Sequence, residues 1–312
     1  MPGIWTMGEI LVEFMRPKVG LGLGDLGEYI GPFPSGAPAI FISAAARLGH
    51  PAGIIGGVAD DDFGRAIVDR LKRDGVDCRY LQQFSEGATA DAFVTYFTDG
   101  SRKFIYHIDQ TPAVWARFEG GEDLRRPDFF HIMGCSLMAN EAFRGEIIKA
   151  MASAREQGAK VSFDPNIRVE LLRGRDLASV VGPVLEYCSV LLPGAAELAL
   201  LSGVEITAEG ARRLFERYPL EVIVLKRGRQ GCAVYTRDSV VVVPAYAVTE
   251  VDPTGAGDCF DAGFLCGLVE GRSLADCARI AAAAGALNAA AFGSMEGDIS
   301  RASVARMTGI NI

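Results

Sequence analysis

VDPTGAGDCFDAGF, residues Val251–Phe264, carries the strongest structural signal in this sequence. Pro253 turns the chain, and the apolar, Ala-rich segment that follows predicts a helix beginning near Gly255 or Ala256. The first N–H groups of a helix lack internal acceptors and carry the positive end of its dipole. Gly255, Ala256 and Gly257 leave these groups uncovered by side chains, so the stretch predicts an anion hole.

Asp258 follows this anion hole directly. A carboxylate that only repelled a bound anion would serve no purpose there. A carboxylate that accepts the proton of an attacking hydroxyl, next to a bound phosphate, would act as a general base. The alternative is an acid in the first helical turn that the dipole merely stabilises. The Gly-Ala-Gly run and the turn at Asp252-Pro253 favour the catalytic interpretation.

Composition limits the possible function classes. The chain has 312 residues, 49% of them apolar, which suffices for one large α/β domain or two smaller ones. Its formal charge of -8 argues against general binding to nucleic acid or anionic membranes. No uninterrupted apolar stretch reaches the length of about 18 residues that a membrane span needs.

The cysteines and the first residues indicate the compartment. Seven cysteines are scattered singly, without a CxxC motif, which favours reduced thiols in the cytoplasm. The beginning of the sequence, MPGIWTMGEILVEF, lacks the basic region and cleavage site of a signal peptide. The three histidines are far apart in sequence, so we expect no zinc cluster.

Strand and helix patterns alternate through the second half of the chain. This alternation predicts an α/β fold with a mostly parallel central sheet covered by helices on both faces. Closer to the beginning, Ile4–Met7 and Leu11–Phe14 together predict one early strand.

A hairpin interrupts this rhythm. Thr89–Phe97 and Arg102–Ile108 are rich in β-forming residues, and the Asp-Gly of the 98–101 turn joins them. With Tyr29–Phe33 they predict a small separate sheet that serves as a lid over a cleft. A surface-packed edge of the main sheet is the alternative.

Several stretches, taken together and in order, resemble a known family. VDPTGAGDCFDAGF resembles the C-terminal signature of the ribokinase-like sugar kinases of the phosphofructokinase-B type. MGEILVEF, SGAPAIFISAAARLG, GGVADDDFG, SFDPNIR, LLPGAAELALLSG and VLKRGRQGCAVY resemble the family's other landmarks. The resemblance implies a Rossmann-like core, a β lid, ATP with Mg²⁺ as phosphoryl donor, and a sugar hydroxyl as acceptor. It further implies one kinase domain over residues 1–312, a lid from about 14–35 and 88–112, and a homodimer formed through the lid.

The resemblance also implies roles for individual residues. Asp258 would be the base, and Gly255, Ala256 and Gly257 the anion hole. Gly36 would belong to the sugar-contacting turn, Glu13 would bind sugar hydroxyls, and Asp164, Asn166 and Arg168 would line the sugar and phosphate pocket. Glu197 would be associated with Mg²⁺, whereas Asp252 and Thr254 match positions that hold a monovalent cation such as K⁺ in some members.

The residue types agree with these roles. Lys226 and Arg227 follow an apolar strand and precede Gly228 and Gly231, so cations and bare backbone meet at a strand end, where we predict cofactor binding. Arg168 follows another strand-end turn, and its guanidinium can bind a phosphate through two hydrogen bonds. Each residue also has a simpler interpretation. Lys226 could be a solvated turn charge, Arg168 part of a surface ion pair, Glu197 a helix-stabilising acid and Glu13 an exposed strand charge.

Four positions depart from the family pattern. Ser35 replaces the first glycine of the Gly-Gly turn. Ile40, Gly194 and Ala282 replace asparagines on the sugar, magnesium and adenine sides. Because the catalytic stretch is intact, we expect kinase activity, while the substrate and the details of these contacts stay open.

The lid hairpin favours a substrate class. The DPNxR motif occurs both in fructokinase-like members and in kinases of 2-keto-3-deoxygluconate, which usually carry Tyr-Arg in the lid to hold the sugar acid's carboxylate. Here the hairpin reads FIYHID, with His107 in place of that arginine, so Tyr106 and His107 are candidate substrate-binding residues. A mostly neutral histidine holds a carboxylate weakly. We therefore predict a neutral ketohexose such as tagatose or fructose, with Tyr106 contacting the sugar or packing in the lid.

Two alternatives remain. One is a 2-keto-3-deoxygluconate kinase. The other is a non-catalytic regulator that binds a sugar or nucleotide on the same fold, against which the intact Asp258 argues.

Overall fold

The computed structural model describes residues 3–99, 101–120 and 123–312. In chain order, the strands of these residues are β1 (Ile4–Met7), β2 (Leu11–Met15), β3 (Ile30–Ser35), β4 (Ala52–Ala59), β5 (Asp77–Phe84), β6 (Ala90–Tyr96), β7 (Arg102–His107), β8 (Phe129–Met133), β9 (Lys160–Asp164), β10 (Cys188–Leu191), β11 (Val222–Lys226), β12 (Cys232–Tyr235) and β13 (Val240–Val243).

The strands form two sheets, which confirms the predicted α/β fold with a large, mostly parallel central sheet and a smaller separate one. Across the described residues, the larger sheet has the order β13-β12-β11-β10-β9-β8-β1-β4-β5. Its pairs from β11 through to β5 are parallel, whereas β12 and β13 form an antiparallel edge. Apolar residues of β1, β8, β9 and β11 are almost fully buried, because helices cover a parallel sheet.

Helices connect the strands of the larger sheet. Those of the described residues are α1 (Ala37–Arg47), α2 (Asp62–Arg73), α3 (Gly134–Ala139), α4 (Glu141–Glu156), α5 (Val169–Leu172), α6 (Leu177–Leu185), α7 (Ala195–Ser202), α8 (Thr207–Arg217), α9 (Ala256–Val269), α10 (Leu274–Ala289) and α11 (Arg301–Thr308). None of these helices is long and apolar enough to cross a bilayer. Helix α9 packs closely against the Ala-rich helix α10, since a Cβ on Gly263 would lie 2.9 Å from Ala281 Cα.

The prediction of one early strand is wrong, because the chain changes sheets between its two halves. β1 pairs with β4 and β8 in the larger sheet, whereas β2 pairs with β3 and β6 in the smaller one. Gly8 lies at the crossing, where a Cβ would come within 2.2 Å of Pro38 Cγ and 2.5 Å of Ser136 Oγ. Only glycine lets the chain pass so close to these side chains.

The smaller sheet has the order β3-β2-β6-β7 within the described residues. The predicted hairpin forms its β6–β7 edge with antiparallel pairing, although Gly100 of the turn lies outside the described residues. The sheet is separate from the larger one, as predicted, rather than an edge of it. Sequence patterns did not indicate that β2 would be one of its two inner strands.

Candidate active site

The start of α9 forms the centre of the site. The helix begins at Ala256, and Gly255 before it has a φ of 77°, in the left-handed region that favours glycine. A Cβ on Gly255 would lie 2.5 Å from the carbonyl oxygen of Ser294. This tight turn leaves the backbone N–H groups of Gly257 and Asp258 at the helix N-terminus, without acceptors inside the helix. The N–H of Ala256 donates to the carbonyl oxygen of Pro253 over 3.3 Å, so the donors of the predicted anion hole that remain available are those of Gly257 and Asp258.

Two clefts meet at this helix start. Thr254, Gly255 and Asp258 line a cleft that extends under the smaller sheet. Ala256 and Gly257 line a second cleft on the other side. A group transferred from one cleft to the other would pass the first turn of α9.

Asp258 faces the first cleft and is 8% exposed. Asn166 Nδ2 donates a hydrogen bond to Asp258 Oδ1 over 3.4 Å. Burial raises the pKa of Asp258 to about 7; the nearby Asp164 raises it further, while Lys226 and Arg168 oppose the rise. A carboxyl group that titrates near neutral pH can accept a proton and release it again.

Lys226 lies in a buried ion network rather than free in a turn. Its Nζ lies 2.8 Å from Asp164 Oδ2 and 3.1 Å from Asp261 Oδ2. Burial is the largest effect and raises the pKa of Asp164, but the ammonium of Lys226 and a hydrogen bond with Asp261 together lower it below its ordinary value. Lys226 also lines the second cleft, so its predicted position next to a nucleotide remains available. Asp261, one helical turn after Asp258, was not predicted as part of the site.

Glu13 is a buried carboxyl group, not an exposed strand charge. It is 6% exposed, lines the first cleft and accepts a 2.8 Å hydrogen bond from Ser35 Oγ. Burial raises its pKa to about 7, although the bond from Ser35 opposes the rise. Ser35, a departure from the family pattern, therefore orients the carboxyl group that is predicted to contact the sugar.

Glu9 is a second buried carboxyl group in the first cleft, and sequence patterns did not indicate it. It accepts hydrogen bonds from Ser136 Oγ and from Cys135 Sγ, and burial raises its pKa. Gly36 lies beside it with a φ of 102°, and a Cβ there would lie 2.6 Å from the carbonyl oxygen of Glu9. The predicted glycine turn is thus required for the cleft to keep its shape.

The lid strand β7 contributes one face to the first cleft. Arg102, Phe104 and Tyr106 line it, as alternate residues of a strand do.

His107 was predicted to bind the substrate, but the structure does not bring it to the cleft. It lies on the opposite face of β7, with a side chain 59% exposed, and its Nδ1 lies 2.7 Å from Asp91 Oδ1. The residue that brings positive charge to the cleft from the lid is Arg102, and Arg168 does so from the turn after β9.

Glu197 is held by backbone groups at the start of α7. Its two carboxylate oxygens accept hydrogen bonds from the N–H groups of Ile167, over 2.8 Å, and Gly194, over 2.7 Å. In the parts of the chain that the structure describes, no three His, Cys, Asp or Glu side chains cluster to bind a metal. Such a cluster is not needed for Mg²⁺ in kinases, where one or two carboxylates supplement substrate phosphates and water.

The second cleft suits a flat apolar group. Phe260, Ala282 and Ala286 are among the residues that line it, together with Gly228 and Gly231. Gly231 has a φ of 86°, and a Cβ there would lie 2.0 Å from the carbonyl oxygen of Val243. These two glycines shape the turn between β11 and β12, and Ala282 leaves room where the family pattern has an asparagine.

The oxygens predicted to bind a monovalent cation are already bonded to the protein. Tyr96 Oη, from the lid, donates a hydrogen bond to Asp252 Oδ1 over 2.9 Å and bonds with Thr254 Oγ1. Asp252 also accepts hydrogen bonds from the backbone N–H groups of Thr254 and Gly293. These residues therefore do not fit an ion that would need the position of the Tyr96 hydroxyl.

Residues 3–300 match the model of the pfkB family carbohydrate kinases. The chain belongs to this family. It is 31% identical over 300 residues to Fructokinase-1 of Oryza sativa subsp. japonica, covering 93% of this chain and 92% of the relative.

Two solved structures extend the comparison. A protein of E. coli described as a Ribokinase II, in complex with ATP and Mg²⁺, superposes with a TM-score of 0.91 at 36% identity, covering 98% of this chain and 99% of the other. A double mutant of Vibrio cholerae fructokinase, with fructose, ADP and a potassium ion bound, has a TM-score of 0.82 at 26% identity, covering 99% and 98%. The family and the fold agree, so this chain is a sugar kinase.

Proposed function

We propose that this kinase transfers the γ-phosphate of ATP to a hydroxyl of a small ketose, such as fructose or tagatose, with Asp258 as general base. The observation that carries the proposal is the meeting of two clefts at the first turn of α9, with Asp258 in the cleft under the lid. The fructokinase relative supports a ketose, and the E. coli structure with ATP and Mg²⁺ supports the donor.

In this proposal the sugar occupies the first cleft and the nucleotide the second. The sugar hydroxyl gives its proton to Asp258 as its oxygen attacks the γ-phosphorus, and the bond from that phosphorus to the departing ADP breaks. The N–H groups at the start of α9 and the guanidinium of Arg168 stabilise the charge on the transferred group. Asn166 orients Asp258, and Glu13 and Gly36 hold the sugar.

Bound Mg²⁺ would neutralise charge on the nucleotide phosphates. We propose that Glu197 contributes to holding it, through water, because both of its oxygens already accept backbone N–H groups. Lys226, next to the second cleft, and the turn of Gly228 and Gly231 would adjoin the nucleotide.

A kinase for a sugar acid, such as 2-keto-3-deoxygluconate, is the second candidate, and the position of Arg102 favours it. His107 was the sequence feature that argued against an acid, but it faces away from the cleft. Arg102 and Arg168 both line the cleft, and guanidinium groups bind carboxylates well.

A coupled assay of ADP release tests both candidates and the non-catalytic alternative. Purified protein with ATP and Mg²⁺ is offered fructose, tagatose and 2-keto-3-deoxygluconate in turn, with and without K⁺. Fastest release with a ketose would support the primary proposal, and fastest release with the sugar acid would support the second. No release above the background without sugar would favour a binding regulator.

We further propose that two copies pair through their lids, in the cytoplasm. Ile105 lies on the face of β7 opposite the cleft and is 43% exposed, and Ile30 on edge strand β3 is 42% exposed. Exposed edge strands with apolar side chains readily pair with another chain. The cysteines of the described residues are free thiols, which suits a reducing compartment. Light scattering of the protein and of Ile105→Glu tests the pairing: a dimer that the variant dissociates supports it, and a monomeric wild type contradicts it.

A further inference from the structure

The lid is tied to the loop before the anion hole through a single hydroxyl group. Tyr96 is the last residue of β6, and its Oη bonds with both Asp252 and Thr254, which precede Gly255 by three residues and one. Asp252 and Thr254 are 1% and 5% exposed. The contact therefore lies at the interior end of the lid, next to the anion hole.

Asp252 is a buried carboxylate that hydrogen bonds can stabilise. Its Oδ1 accepts from Thr254 N–H over 2.9 Å, and its Oδ2 accepts from Gly293 N–H over 3.0 Å. The Tyr96 hydroxyl supplies a third donor, over 2.9 Å to Oδ1. Three donors of this kind can satisfy the oxygens of a buried carboxylate without a cation.

The loop that follows depends on these bonds. Asn288 Nδ2 donates to the carbonyl oxygen of Thr254 over 2.8 Å, and Gly255 then turns into α9. An ion that bridged Asp252 and Thr254 would fix this loop in the same way. It would also need the space between their side-chain oxygens that Tyr96 Oη fills.

We infer that the Tyr96 hydroxyl takes the place of a monovalent cation and orders the anion hole from the lid, so that this kinase does not require K⁺. The inference rests on the proposed function, since it concerns the cofactor requirement of the same site. A hydroxyl on the same chain is present at any salt composition, whereas a bound ion depends on its concentration.

The test compares wild type and Tyr96→Phe in the chlorides of potassium, sodium and tetramethylammonium at equal ionic strength. Melting temperatures are measured first, because they do not require turnover. Phosphorylation of the best sugar of the panel is measured second. Tyr187→Phe is the matched control, since it removes the hydroxyl of an exposed tyrosine far from the cleft.

We expect wild type and Tyr187→Phe to melt at the same temperature and turn over at the same rate in all three salts. Tyr96→Phe should lose stability and turnover. K⁺ should then increase the rate of this variant at least about threefold and raise its melting temperature, as a ligand of the folded state does. Adding Asp252→Asn to Tyr96→Phe should abolish this K⁺ response.

Two results would overturn the inference: a K⁺-specific gain in wild type, or a Tyr96→Phe variant with no K⁺ response. Either can be read from melting temperatures alone. If no sugar is phosphorylated, the proposed function fails, while the melting comparison still decides whether Tyr96 replaces an ion.

Discussion

Lys226 Nζ lies 2.8 Å from Asp164 Oδ2, and this contact joins the ends of β11 and β9 beneath the active site. Asp261 of α9 contributes a second carboxylate to the same ammonium. The pair thus connects two strands of the sheet with the helix that carries Asp258. A buried charge that loses its partner costs far more than the pair contributes in net stability.

Lys226→Met should lower the free energy of unfolding by about 3–5 kcal/mol, because it leaves buried carboxylates without a counter-charge. Lys160→Met is the matched control. Lys160 pairs with Glu221 over 2.7 Å, but both side chains are about half exposed. Its loss should cost less than about 1 kcal/mol. Chemical denaturation measures both, and equal costs would contradict a structural role for the Lys226 network.

The pH dependence of kcat/KM should show the titration of Asp258. Its pKa is about 7, raised from the ordinary value for aspartate by burial, and only the ionised form can accept the hydroxyl proton. The rate should therefore rise with pH through about 7 and fall about tenfold per pH unit below it.

Glu13 has a pKa of about 7 as well, so a control must separate the two groups. Glu13→Gln has no titrating group at this position. It should raise KM for the sugar but keep the rise of kcat/KM with pH. Loss of this pH dependence in Glu13→Gln would assign the titration to the sugar-binding carboxyl group instead.

The anion hole should tolerate no side chain at Gly255. A Cβ there would collide with the carbonyl oxygen of Ser294, so Gly255→Ala must displace the helix start. We expect kcat to fall by roughly a hundredfold or more, as when backbone donors to a developing charge are lost.

Gly271→Ala controls for backbone strain alone. Gly271 has a similar φ of 69°, with no atom within 4 Å of the added Cβ. It should lose about 1 kcal/mol of stability and keep its turnover. A Gly255→Ala variant as active as Gly271→Ala would mean that this turn does not position the phosphate.

These glycines also show how far the sequence alone leads. The stretch from Val251 to Phe264 predicts the turn, the helix start and the positions of the bare N–H groups, because all of them are local. The strand alternation likewise predicts the larger sheet. The crossing at Gly8 was missed, since it depends on contacts with Pro38 and Ser136, which are distant in sequence.

Within the site, Glu9 takes its role only through tertiary contacts, whereas the position of Arg102 follows from local strand alternation. Glu9 becomes a cleft residue by bonding with Ser136. His107, not Arg102, was predicted to bind the substrate, although strand alternation places Arg102 on the same face as Tyr106 and His107 on the other. The position of Arg102 in the cleft is therefore predictable from the sequence, because it lies four residues before Tyr106 in the same strand.

Arg102→Met should discriminate between neutral and acidic sugars. Loss of a charge-assisted hydrogen bond of about 1.5–3 kcal/mol should raise KM for a sugar acid about tenfold or more and change KM for a neutral ketose only slightly. Lys103→Met is the control, because Lys103 lies on the outer face of β7. Equal effects of Arg102→Met on both sugars would exclude a carboxylate-binding role.

In the proposed mechanism, Asp258 accepts the hydroxyl proton while the start of α9 holds the phosphate. Turnover of the Asp258→Asn variant is the sharpest test of this mechanism. Asp62→Asn is the matched control, since Asp62 is also a first-turn acid, at the exposed start of α2. We predict that Asp258→Asn loses about a thousandfold in kcat with ATP affinity within a few-fold of wild type, while Asp62→Asn stays fully active. Near-normal turnover by Asp258→Asn would contradict the account.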